Sequence, residues 1–160
     1  MIQCGIVGWK NSGKTYLAQK LINYFSKKNY IVASIKHAHH DFDIDKPGTD
    51  SFKHRSAGSS QVIISSSKRW AKIIENNNKN EKKLNELLRE FNDIDVAIVE
   101  GFKKENHPKI EIISKNSKNI NNEIKNVVAI VADDKIDSSK PVFKKNDVES
   151  LAQFIIDKFL

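Results

Sequence analysis

The chain has 160 residues and a formal net charge of +7, which allows one domain with a full core and little beyond it. Its lysines fall in scattered pairs such as Lys27-Lys28, Lys82-Lys83 and Lys144-Lys145, a solvated-surface pattern that argues against nucleic-acid binding. No apolar run is long enough to span a bilayer and Cys4 has no second cysteine to bond, so no membrane partner and no disulfide framework are expected, and a cytoplasmic location is.

The first element is a short buried strand carrying Ile2, Cys4, Ile6 and Val7. "GWKNSGKT" follows, with Gly8-x4-Gly13-Lys14-Thr15 matching the P-loop pattern. A helix comes next, since Leu17, Ala18, Leu21, Ile22 and Phe25 recur at helical spacing. Strand, glycine loop and helix form the context in which that pattern binds phosphate. Gly8 and Gly13 allow a turn that aims successive N–H groups at an anion, at a helix start that already favours one. Lys14 is expected to reach the β- and γ-phosphates and the Thr15 hydroxyl to ligate Mg²⁺. The nucleotide-contacting set in this segment is Gly8, Asn11, Ser12, Gly13, Lys14, Thr15 and Tyr16.

A second strand from about Tyr30 to Lys36 completes a βαβ unit. His37–Asp50 is polar and rich in His and Asp. A short helix follows, with Thr49 or Asp50 at its start and Gly58 as its stop. "QVIISS" and "RWAKIIE" are strands joined by a turn at Ser66-Ser67-Lys68, and "NNNKN" is a loop tip. Glu81 to Phe91 reads as a helix, and 95–101 as a central parallel strand. "KIEIIS" and "VVAIVAD" are further strands, 116–126 is a polar linker, and a last helix carries Val148, Leu151, Ala152, Ile155, Ile156 and Phe159, capped by Asn146 with Glu149 reciprocating. The fold class is α/β: a mostly parallel open sheet flanked by helices, with a β-hairpin extension, all within one domain over 1–160. Ligands of such sheets bind at the carboxyl ends of the strands, which places Gly8–Thr15, His37–Asp45 and Glu100–Lys104 on one rim.

Glu100 ends a strongly apolar strand and is followed by Gly101. A carboxylate there serves the Mg²⁺ shell or orients a water on the γ-phosphate, and Gly101 lets the backbone approach that phosphate. The strand lacks the Asp-x-x-Gly form common in G proteins. In "KHAHHDFDIDKPGTD" three histidines and four aspartates admit three readings: a segment that meets the nucleotide's Mg²⁺, with Asp45 as its metal-facing carboxylate; a charged surface loop; or a transition-metal site. Asp50 and His54 are spaced to pair on one helix face.

"GWKNSGKT", "KHAHHDFDIDKPGTDSFKHRSAG" and "VAIVEGFKKENHPKIEI" together resemble MobB, the adaptor family of molybdopterin-guanine dinucleotide biosynthesis. The middle block is the specific one, through His37, Asp41, Asp43, Asp45, Pro47, Gly48, Asp50, His54, Ala57 and Gly58. The resemblance implies a P-loop protein that binds GTP with Mg²⁺, hydrolyses it weakly and forms a homodimer. Its implied partner is the MobA-like nucleotidyltransferase that attaches GMP to molybdopterin, with molybdopterin itself a further candidate ligand. There is no Asn-Lys-x-Asp guanine motif; Asp133, after an apolar strand, is the nearest candidate for the base. Two other readings compete: a metallochaperone-type GTPase, disfavoured by the lack of Cys-x-x-Cys or polyhistidine, and a small-molecule kinase, disfavoured because Arg55, Arg69 and Arg89 form no evident lid.

Overall fold

The computed structural model describes residues 1–38, 41–77, 80–114 and 124–159. They form two compact units, one from Met1–His37 with Lys83–Leu160, the other from Ala38–Lys82. In chain order the elements are β1 (Ile2–Val7), α1 (Lys14–Lys27), β2 (Val32–Lys36), α2 (Asp50–Ser56), β3 (Gln61–Ser65), β4 (Trp70–Ile74), α3 (Leu84–Leu88), β5 (Val96–Glu100), β6 (Lys109–Ile113), β7 (Val127–Ala132), β8 (Val142–Phe143) and α4 (Val148–Phe159).

In the first unit six strands make one sheet in the order β2-β5-β1-β6-β7-β8, with every neighbouring pair parallel. A parallel sheet has helices on both faces, and its central strands are apolar on both. β5 shows this directly. Val96 and Ile98 join the core formed with Leu17, Leu21 and Phe25 of α1 and Leu151 and Ile155 of α4. Ala97 and Val99 pack instead with Leu84 and Leu88 of α3. The expected α/β architecture is therefore the observed one.

β5 and β6 flank β1 on opposite sides, yet only residues 101–108 connect them. A parallel crossover ordinarily needs a dozen or more residues. The register removes that need, because β5 ends with Glu100 opposite Ile6 while β6 begins with Lys109 opposite the neighbouring Gly5. The chain has almost no sheet to descend. Lys109, fully buried, holds the short crossover: its Nζ donates to the carbonyls of Glu105 (2.5 Å), His107 (2.9 Å) and Lys125 (3.1 Å). Each proton of the ammonium thus has an acceptor, which is the condition for burying it. Its pKa is lowered by burial, an effect opposed by Glu105.

The second unit holds α2 and an antiparallel hairpin of β3 and β4, paired from Gln61↔Ile74 to Ser65↔Trp70. α2 starts after Thr49 and gives way at Ala57 to Gly58, whose φ of 105° is a left-handed conformation suited to glycine.

Four expectations need correction. The helix expected over Glu81–Phe91 is only Leu84–Leu88, because the Glu86 carboxylate accepts the Lys83 backbone N–H at 2.8 Å and fixes the start. Leu87 and Phe91 still pack on the expected side. β8 was not anticipated; two residues after Pro141 carry no periodicity. The cap of α4 is Asp147, whose Oδ1 accepts the Ser150 N–H at 3.2 Å, not Asn146 with Glu149. Asp50 pairs with Lys53 at 3.1 Å and not with His54. The linker expected at 116–126 lies outside the described residues up to 123, as do 78–79 of the "NNNKN" tip.

His107 is 2% exposed and neither ring nitrogen has a hydrogen-bond partner among the described residues. Burial, reinforced by Lys109, pushes its pKa down to about 4 from 6.5. The folded state therefore keeps it neutral over a range in which the unfolded chain protonates it. Any stability tied to this residue is full above pH 6.5 and is lost progressively as pH falls from 6.5 towards about 4. Equilibrium unfolding of the natural chain and of His107→Gln across that range should show the natural chain losing ground steadily to the variant. Parallel pH profiles would contradict the assignment.

Candidate functional site

All the following residues belong to the first unit. Between β1 and α1 the chain turns through residues 8–13. Gly8 is packed so closely that a Cβ would come 2.6 Å from the Ile112 carbonyl oxygen and 2.7 Å from Ser12 Oγ. Packing against β6 and Ser12 therefore leaves no room for a side chain at this position. Asn11 (φ 62°) and Gly13 (φ 103°) are left-handed, and the Ser12 N–H closes a turn onto the Trp9 carbonyl at 3.2 Å. Ser12 is 2% exposed, with its hydroxyl lacking a partner among the described residues. Lys14 folds back over the loop, donating from Nζ to the carbonyls of Trp9 (2.6 Å) and Gly8 (3.2 Å). Burial lowers its pKa, Glu100 opposes that shift, and the neighbouring cations Lys103 and Lys36 add to it.

Glu100 stands beside this loop because β5 pairs with β1. The Thr15 hydroxyl donates to it, lying 3.0 Å from Oε1 and 3.1 Å from Oε2. Lys36, opposite Glu100 in the β2–β5 register, approaches the same Oε1 to 3.4 Å. A cleft of about 150 Å³ is lined by Thr15, Ala18, Gln19, Ser34, Lys36 and Glu100 among others. Gly101 (φ 96°) donates its N–H to the Ile6 carbonyl at 3.0 Å, and a Cβ there would come 2.8 Å from His37 Cβ. The His37 N–H in turn donates to the Glu100 carbonyl at 2.9 Å, and its ring stacks on Phe102 at 4.6 Å. Trp9 lies under Lys103, 5.3 Å from ring centre to Nζ, and Tyr16 similarly lies under Lys20.

The sequence-expected residues thus fall into three groups. Gly8, Asn11, Ser12, Gly13, Lys14 and Thr15 form the loop, with Glu100 touching Thr15 and Gly101 beside it; Tyr16 follows on α1 and is half-exposed. Asp133 is just beyond β7, two strands from β1, and its carboxylate pairs with Lys145 Nζ at 3.2 Å. Asp45 belongs to the second unit. There Arg55 grips it through Nε at 3.2 Å and Nη2 at 2.6 Å, while also holding Asp43 (2.9 Å) and Glu75 (2.6 Å). Arg55 lowers the Asp45 pKa through these bonds, and the carboxylates raise that of Arg55. His39 and His40 lie outside the described residues. Among the described residues no three His, Cys, Asp or Glu side chains are grouped as a metal site.

Two residues with clear roles here escaped the sequence reading, Arg55 and Lys36. The signals existed. Asp43 and Asp45, two apart in a stretch with few cations, call for a cation to share. Lys36 ends a strand just as Glu100 does.

The family model described as "MobB: Molybdopterin guanine dinucleotide synthesis protein B" matches residues 3–133. The chain is 35% identical over 154 residues to the molybdopterin-guanine dinucleotide biosynthesis adapter protein of Escherichia coli K12, covering 93% of this chain and 88% of that one. It is 43% identical over 108 residues to the adapter protein of Haemophilus influenzae, covering 66% and 60%. Among solved structures, a molybdopterin-guanine biosynthesis protein B superposes with a TM-score of 0.79 at 25% identity, over 99% of this chain and 100% of that one. The MobB homolog from Bacillus stearothermophilus gives 0.75 at 20%, over 99% and 97%, a likeness of fold. The loop, the Glu100 strand and the block from His37 to Gly58 are thus features of a chain that belongs to the MobB family.

Proposed function

We propose that this chain is an adapter of molybdopterin-guanine dinucleotide biosynthesis that binds GTP with Mg²⁺, hydrolyses it slowly, and assists the nucleotidyltransferase that joins GMP to molybdopterin. The carrying observation is the Thr15 hydroxyl seated on the Glu100 carboxylate at the mouth of a glycine-walled phosphate loop. The fit is chemical. A hydroxyl and a carboxylate are the hard oxygen donors that Mg²⁺ takes together with phosphate oxygens. Thr15 would hold the ion directly and Glu100 through water, and the ion's charge would offset that on the transferring phosphoryl group.

The chain's own residues supply the rest. Loop N–H groups and the start of α1 bind the phosphates, and Lys14 exchanges its two carbonyl acceptors for phosphate oxygens. Glu100, when not occupied by Thr15, orients water near the terminal phosphate. Asp133 lies two strands from β1, on the order of 10 Å at ordinary strand spacing, a separation suited to a base whose phosphates sit over β1. The assignment of guanine rests on the family, since adenine lacks the N1–H and N2 donors a carboxylate accepts. The adapter role comes from the names of the relatives.

The second unit is proposed to make the homodimer. Ile63, Trp70 and Ile74 share one hairpin face by register and are 64%, 68% and 40% exposed. Val62 is on the opposite face and buried, so Ile63 is the residue to change. A second copy would cover that face and the open edges of a two-stranded ribbon.

Three outcomes test these statements. Lys14→Ala should lower GTP affinity by roughly 100-fold, the loss of a charge-assisted phosphate contact, with far-UV circular dichroism unchanged; undiminished affinity in the folded variant would remove the phosphate-loop assignment. Glu100→Gln should slow single-turnover GTP hydrolysis at least about tenfold while affinity shifts little, because the carboxylate acts on water or on the ion's outer shell whereas affinity comes mostly from the loop N–H groups and Lys14. An unaltered rate would exclude Glu100 from the chemistry. By light scattering at tens of micromolar protein, roughly the range of weak association, the natural chain should be a dimer and Ile63→Lys a folded monomer. A natural chain that is monomeric there would exclude the second copy.

A further inference from the structure

The rim around Glu100 carries more positive charge than a phosphate loop needs. Lys14 serves the loop itself. Lys36 is one strand further out, beyond β5, in the order β1, β5, β2 across the sheet. Its Nζ meets Glu100 Oε1 at 3.4 Å, and the same oxygen receives the Thr15 hydroxyl at 3.0 Å. Lys36 and Thr15 also line one cleft. A phosphate oxygen brought next to Thr15 is therefore within reach of the Lys36 ammonium, which needs only to turn about its own flexible stem.

Among the described residues no other side-chain hydrogen bond or ion pair holds Lys36. Its side chain is 63% exposed, against 13% for Glu100, and such a half-exposed ion pair contributes little to stability. The ammonium is thus available to trade one carboxylate for a more highly charged group. Direction matters too. The loop grips phosphates from the β1 side, whereas Lys36 approaches from the β2 side, past Glu100. Of the phosphates of a nucleotide held by the loop, the one furthest from its backbone cradle would meet Glu100 and Lys36. Lys103 does not compete for this position, since its ammonium lies against the Trp9 ring.

We infer that Lys36 is the residue by which this site distinguishes a nucleoside triphosphate from a diphosphate, its ammonium leaving Glu100 to bind the terminal phosphate. The inference rests on the nucleotide-binding reading above and adds to it a discriminating residue outside the phosphate loop. In the triphosphate state Lys36 neutralises charge on the terminal phosphate and frees one Glu100 oxygen. In the diphosphate state the Lys36–Glu100 pair re-forms. The role is that of a cation supplied from within the chain, where other phosphoryl-transfer sites use arginine.

The test is equilibrium titration, with Mg²⁺, of GDP and of a non-hydrolysable GTP analogue into the natural chain, Lys36→Met and Lys36→Arg. Lys36→Met should lose roughly 10- to 100-fold in affinity for the triphosphate analogue, the range of one charge-assisted hydrogen bond, and less than about twofold for GDP. Lys36→Arg should recover most of the loss, because charge at that position is what counts. Equal losses for both nucleotides would make Lys36 a general electrostatic contributor and overturn the inference, as would no loss for either. The two readings separate cleanly: a natural chain that binds neither nucleotide refutes the nucleotide site itself, whereas tight GDP binding with an unchanged triphosphate preference in Lys36→Met refutes only the role of Lys36.

Discussion

The pairing of Ile6 with Glu100 across the β1–β5 ladder is the constraint on which the candidate site depends. It sets the last residue of β5 beside the last but one of β1, just before the chain bends into the loop at Gly8. A shift of one residue would turn Glu100 to the other face of the sheet. The apolar pattern of β5 forbids that shift. Val96 and Ile98 are committed to the α1 and α4 side, Ala97 and Val99 to the α3 side, and the two sets differ in size. Core packing thus fixes where a carboxylate meets a hydroxyl. The same ladder lets the Gly101 N–H reach the Ile6 carbonyl, which holds the turn after the carboxylate as firmly as the strand before it.

Charge at the two groups of acids is handled in opposite ways. Around Lys14 the one carboxylate, Glu100, is outnumbered by the neighbouring cations Lys36 and Lys103, so positive charge is in excess there. In the second unit the ratio is reversed, with one guanidinium among Asp43, Asp45 and Glu75. Arginine suits that task because its fork serves several carboxylates in one plane. Asp45 is the most enclosed of them, its side chain 5% exposed. Phe42 and Ile44, alternating with these aspartates, are each 70% exposed. The segment's acids are turned onto Arg55 and its apolar residues outward, an orientation set by electrostatics and not by burial.

Much of this was legible in the sequence. Loop, helix and Glu100 strand follow from local rules: glycine where backbone must approach, apolar residues at 3.6 spacing, a continuous apolar run for a strand covered on both faces. What local rules missed was set by contacts distant in sequence. Lys109 and His107 read as a polar stretch at a strand start, yet both are buried, because the short crossover over β1 draws them into the sheet. β8 exists only because β7 offers it an edge. Asp147 displaces Asn146 as the cap by a single residue, a choice the spacing of polar residues leaves open. Arg55 looked like one of three isolated arginines until the fold of its unit gathered three carboxylates about it.

The central claim is that Thr15 and Glu100 form the metal-facing edge of a nucleoside triphosphate site. A crystal structure with Mg²⁺ and a non-hydrolysable GTP analogue tests it most directly. The account predicts the phosphates over Gly8–Thr15, the Thr15 hydroxyl turned from Glu100 to an ion about 2.1 Å away, and Glu100 within one water of that ion. A triphosphate bound elsewhere, or bound here with the Thr15–Glu100 hydrogen bond intact and the ion held by other residues, would contradict it.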